Sequence, residues 1–427
     1  MTYVPPDRDD QALDQTQHLD FAAAPGAGHP FGSGVDDARP VDPFAGRPAT
    51  TVGYAEAAAP ARDRVGFQFV WEGILLLLTL NALFLVYQRR EEVFGGGLSM
   101  DALGPHFAGL ASLILVAAAF GLTLRLGAVN LAVPAMPVLV LMSPSLFVGP
   151  DPLVGLAYTA GAAAAVAVLF TVLTVVLRIP PWLAGLASLV VMGGSYAALD
   201  ELAGALGSGE PGAWTNPGNL WLLLGAAVLS AIGGLIGLAP GVRERFSKVK
   251  GAADGTGDRE AGSVAVLLGG TFLALLLSAL AGFLPLVFGG DLEPELSAVF
   301  AVNADASLVL TPLVFIVVFL AGTSPWGRRG GVLGTVLAAV AVWALALVWN
   351  SLDQDVYGEW TGAAAAGLLL LGLFVSFGLD RLGRPREALE PEDATAEMRP
   401  FDSPNGAVDD GTGLFEPTLP DAASANR

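Results

Sequence analysis

Apolar runs separated by short polar stretches fill the chain between Phe67 and Leu379, and polar sequence flanks them on both sides. The runs are Phe67–Tyr87, Phe107–Leu126, Gly127–Met142, Leu153–Leu177, Arg178–Leu199, Leu220–Leu238, Val264–Phe288, Ser307–Gly322, Val332–Trp349 and Thr361–Leu379. A helix crossing a bilayer needs about 20 mostly apolar residues, so the pattern predicts an all-α, polytopic membrane helical bundle of about ten transmembrane segments. Gly127–Met142, Arg178–Leu199 and Ser307–Gly322 are short or interrupted by proline. Such segments are expected to be broken or re-entrant, because non-helical backbone is tolerated at membrane depth where it lines a protected path.

Three regions follow from this pattern. Residues 1–64 form an amino-terminal tail, 65–380 the transmembrane domain with a polar loop at 240–262, and 381–427 an acidic carboxyl-terminal tail. Both tails are rich in Pro, Gly and Asp, lack apolar periodicity, and are expected to be disordered. The first apolar run begins only after Arg62, Asp63 and Arg64, which does not fit a signal peptide. Composition agrees with a membrane protein: 53% of the 427 residues are hydrophobic and 14% charged, where soluble domains carry roughly 25% charged residues.

Charge then orients the bundle. With the amino terminus in the cytoplasm, alternation puts Arg125, Arg178, five cations of 243–259, Arg328, Arg329 and Arg381 on the cytoplasmic side. The outer side receives only Arg89 and Arg90, each balanced by Glu91 or Glu92, and most of the loop carboxylates. The positive-inside rule therefore predicts a cell-membrane protein with both termini cytoplasmic.

Little in the sequence supports catalysis. Cysteine is absent and histidine occurs only at 18, 29 and 106, so no catalytic residues, metal site or cofactor are expected. No basic stripe interleaved with aromatics suggests a nucleic acid. Ionisable groups are nearly missing from the span interiors, which disfavours an ion-coupled carrier. Glu72, near the start of the first span, reads as an interfacial carboxylate, with a buried functional acid as the alternative; Asp305, beside Asn303, reads as an outer-interface residue. A bundle without energy-coupling groups lets solute run downhill or is driven by an attached partner. The basic loop 240–262, with Arg243, Arg245, Lys248 and Lys250, is where such a partner would dock. A solvated surface or a contact for anionic lipid is the alternative.

The most distinctive stretch is Arg178–Leu199, RIPPWLAGLASLVVMGGSYAAL. Pro180 and Pro181 suit the first turn of a helix. The small residues after them, Ala184, Gly185, Ala187, Ser188, Gly193, Gly194 and Ser195, allow close packing or a break. This stretch resembles a central segment in the membrane permeases of bacterial ABC importers for ribose and other simple sugars. Phe120–Met136, FGLTLRLGAVNLAVPAM, is similar to that family's early motif, with Asn130 at its polar position and Ala132 and Pro134 replacing the usual serine and glycine. Phe319–Ala339, FLAGTSPWGRRGGVLGTVLAA, resembles the late glycine-rich segment through Gly322, Thr323, Ser324, Gly327, Gly330 and Gly334.

The resemblance implies a permease subunit moving a small polar solute, such as a monosaccharide or nucleoside-like molecule. Its implied partners are cytoplasmic ATPase subunits, an extracellular solute-binding protein, a second permease subunit and the lipid bilayer. Asn130, Ser188, Gly193, Gly194 and Ser195 are the expected path residues, with an interhelical hydrogen bond as the other role for Asn130. Arg243, Arg245, Lys248 and Lys250 would form the ATPase coupling loop. The glycine-rich, polar part of that loop, Gly251–Gly262, departs from the family's coupling pattern. A permease-like scaffold or regulator that has lost its ATPase is the competing reading.

Overall fold

Backbone amides in an apolar phase must be satisfied within the protein, and all regular structure among the described residues is helical. The computed structural model describes residues 66–95, 98–147, 151–205, 218–239, 241–242, 245–246, 249–250, 260–288, 306–327 and 330–382. The readings of the two tails, and of Arg243, Lys248, Asn303 and Asp305, lie outside the described residues.

Ten of the helices correspond to the apolar runs. They are α1 (Gly66–Gln88), α2 (Met100–Arg125), α3 (Ala132–Met142), α4 (Pro152–Thr171) and α5 (Pro181–Ala205). The second half comprises α6 (Asn219–Leu238), α7 (Ala261–Val287), α8 (Ala306–Leu320), α9 (Gly334–Asn350) and α10 (Thr361–Leu382). Among the described residues seven helices, α1, α2, α4, α5, α6, α7 and α10, are long and apolar enough to cross a membrane. The other three are shorter. At about 1.5 Å rise per residue, the eleven residues of α3 cover only part of a bilayer. Helix α10 runs to Leu382.

Helix α3 is apolar all round and its residues 132–141 are all buried, as a helix at the centre of a bundle requires. It packs against α5, α7 and α8, while α2 packs against α6, α7, α8 and α9. Lipid tails are as apolar as leucine, so helices in a bilayer associate through close packing and interhelical hydrogen bonds. Both are present here. Ser112 Oγ donates to the Ala281 carbonyl at 2.7 Å, and Ser278 Oγ donates to that of Val133. A Cβ on Gly282 would lie 2.6 Å from the Pro137 carbonyl oxygen. Each such hydrogen bond contributes about 1 kcal/mol.

The α1 helix shows which way a span of this kind faces. Its buried residues are Gln68, Glu72, Leu75, Thr79, Ala82 and Val86, spaced alternately four and three apart along one stripe. Phe69, Val70, Leu77, Leu80 and Phe84 lie exposed on the other side. The polar residues turn inward and the apolar ones outward, the reverse of a soluble helix.

Candidate functional site

The three glycine-bearing stretches singled out in the sequence lie far apart along the chain, yet the fold brings them together at the end of the bundle that carries Arg125. The connection from α2 to α3, Leu126–Leu131, forms the centre of this junction. Gly185, in the second turn of α5, approaches it so closely that a Cβ there would lie 2.7 Å from Leu131 N and 2.9 Å from Asn130 Cα. The late glycine-rich turn meets it from another side. Gly327 takes a left-handed φ of 64° that L side chains rarely adopt, and a Cβ on it would collide with the Leu124 carbonyl.

The polar loop after α6 also reaches the junction. Lys250 lays its aliphatic chain over Gly127 and donates from Nζ to the Trp326 carbonyl at 2.7 Å. Beside it, Val249 is 1% exposed within a small core of Leu126, Ala128, Phe170, Ala184 and Leu267, with Phe246 packed against it. The described part of the expected coupling loop is thus held by all three stretches, while Arg245 is exposed.

The expected path residues divide into two groups. Asn130 and Ser188 are fully buried on the inner side of the junction. Asn130 Oδ1 accepts from the Ala132 amide at 3.0 Å and caps the first turn of α3, but its Nδ2 has no protein partner. That leaves a buried amide donor free for a hydroxyl or carbonyl group. Ser188 Oγ donates to the Ala184 carbonyl and Ser195 Oγ to that of Met192, each within its own helix. Gly193 and Gly194 are exposed, and a Cβ on either would meet no atom within 4 Å. They occupy the outer face of α5, away from Asn130.

The interfacial reading of Glu72 requires correction, because the side chain turns inward and is 8% exposed. Its Oε1 accepts from the Val332 amide at 2.6 Å and the Gly334 amide at 3.3 Å, at the start of α9. Helix α9 has no side-chain cap of its own, and a carboxylate at a helix amino terminus satisfies open N–H groups and the positive end of the dipole. Arg125 holds the same segment from the opposite side. Its Nη2 donates to the Gly331 carbonyl and its Nη1 to the Gly233 carbonyl, both at 3.3 Å. Gly331 O and Val332 N belong to one peptide unit, so a guanidinium and a carboxylate clamp that unit from its two sides. Gly234 of α6 packs on it too, with room for no Cβ: one would lie 2.7 Å from Val332 Cα.

Near the clamp, Gln68 Nε2 donates to the Ala321 carbonyl, Trp71 Nε1 to that of Leu320, and Ser324 Oγ to Asp380. Among the described residues no three His, Cys, Asp or Glu side chains converge as metal ligands would. The sequence did carry a signal for Glu72: Gln68, Glu72 and Thr79 share one helical face in an otherwise apolar span. No family model, curated protein or solved structure matches the chain.

Proposed function

We propose that this chain is the permease subunit of an ATP-driven importer, moving a small polar solute of the monosaccharide or nucleoside-like class. In this reading it crosses the cell membrane ten times with both termini cytoplasmic. Cytoplasmic ATPase subunits, an extracellular binding protein and a second permease subunit complete the transporter. The observation that supports it most lies in the described part of segment 241–250: Lys250 meets Gly127 and Trp326, and Val249 shares a small core with Ala184, one residue from each of the three family-like stretches. A force applied to that segment from the cytoplasm reaches the Asn130 connection and the start of α5 without an intermediary. The outward-facing Gly193 and Gly194 fit a solute path formed between two permease subunits rather than within one.

Crosslinkers placed at Arg243 or Lys248 are expected to capture an ATPase subunit in intact cells. If no ATPase is crosslinked or co-purifies, the scaffold reading replaces the importer. Asn130→Leu, with ribose as the first solute probe, is expected to abolish uptake while the protein still reaches the membrane. Normal uptake by that variant would remove Asn130 from the path.

A further inference from the structure

A groove runs along the side of the bundle between α6 and α7, with α2 as its floor. Near Arg125 it widens to a cavity of about 290 Å³, and beyond this lies a second of about 180 Å³. Leu115 and Leu229 line both, so the two cavities adjoin along the seam. Arg125 is the one ionisable side chain among the residues lining them. Leu229, Ile232, Ile236 and Leu273 line the wider cavity and are 45% to 55% exposed. The groove therefore opens sideways onto an apolar surface, where lipid chains lie in a membrane. Gly121, Gly225 and Gly233 keep it open, since a Cβ on any of them would meet nothing within 4 Å.

The charge at one end determines what fits. Among the described residues no carboxylate pairs with Arg125; it makes only the two long hydrogen bonds to the Gly233 and Gly331 carbonyls. A guanidinium has five N–H donors in a planar fork that matches a phosphate. Unpaired cations in apolar surroundings are costly, and basic pockets between membrane helices take anionic head groups. We infer that the groove binds an anionic membrane phospholipid. Its phosphate sits at Arg125 and an acyl chain lies along Leu115 and Leu229 towards Trp221.

The test is native mass spectrometry of the full chain, transferred from vesicles containing equal phosphatidylglycerol and phosphatidylcholine. The wild-type protein is expected to retain phosphatidylglycerol by roughly tenfold over phosphatidylcholine, equivalent to about 1.4 kcal/mol. Arg125→Gln should abolish the preference and Arg125→Lys should keep part of it. Gly225→Trp, whose Cβ would meet nothing within 4 Å and whose ring would occupy the far cavity, should reduce retention in protein that still runs as a monodisperse peak. Equal retention of the two lipids by the wild type would overturn the proposal. So would a preference that survives Arg125→Gln, or a Gly225→Trp variant that retains lipid as the wild type does. Inorganic phosphate should not displace the lipid; displacement would assign the site to a free anion. None of these readouts depends on transport, so the lipid site and the importer reading fail separately.

Discussion

Replacing Glu72 with leucine is expected to lower the stability of the folded bundle by about 2–5 kcal/mol. The substitution leaves the part-buried N–H of Val332 and the buried N–H of Gly334 without their acceptor, and each unsatisfied buried donor costs about 1–3 kcal/mol. Helix α9 has no substitute, because Leu333 at its cap position offers no side-chain acceptor. Glu72→Gln keeps an acceptor oxygen of nearly the same reach and removes only the charge, so it should cost about 1 kcal/mol through the helix dipole. Thermal unfolding in detergent, followed by tryptophan fluorescence and by loss of the monodisperse peak, separates the two variants. Equal melting of Glu72→Leu and Glu72→Gln would show that the oxygen does not cap α9.

This clamp also marks the boundary of what the sequence could reveal. Helix positions were legible because a bilayer imposes a minimum length on apolar runs: Leu220–Leu238 against the observed Asn219–Leu238, Phe67–Tyr87 against Gly66–Gln88. The shortness of α3 was legible for the same reason, since Gly127–Met142 cannot supply enough apolar residues for a simple span. What each helix faces was far less legible. In a soluble protein the inward face announces itself by hydrophobicity, but here both faces of α5 are apolar or small. Nothing in the spacing of its glycines tells Gly185, pressed on the Asn130 backbone, from Gly193 and Gly194, which touch nothing. The partnership of Glu72 with the amides of Val332 and Gly334 was hidden for another reason: the cap lies on a different helix, about 260 residues away in sequence. Local capping patterns cannot register it.

The convergence at Arg125 gives the glycines of the separated motifs a common steric reason. Glycines of two turns and of helices α5 and α6 meet where backbones approach to within contact of one another, and a side chain at these positions would collide. Gly127 receives the chain of Lys250, Gly327 receives the Leu124 carbonyl, and Gly234 receives Val332. Close backbone packing of this kind leaves no room for a side chain at these positions.

Gly185 and Gly194 therefore separate architecture from transport, and they carry opposite expectations. Gly185→Leu drives a side chain into Leu131 N, Asn130 Cα and Val129 O, which are backbone atoms that cannot rotate away. Overpacking of this kind costs about 1–3 kcal/mol when side chains yield, and the upper part of that range or beyond is expected here. The variant should give a low yield of monodisperse protein and no ribose uptake. Gly194→Leu meets open space, so melting and yield should match the wild type. Its effect should fall on uptake alone, because the added side chain projects from the outer face of α5, where a second subunit would complete the path. Gly185→Leu melting like the wild type would overturn the contact between α5 and the Asn130 connection on which the proposed coupling route rests. Full ribose uptake by Gly194→Leu would instead leave that contact standing and move the path away from the outer face of α5.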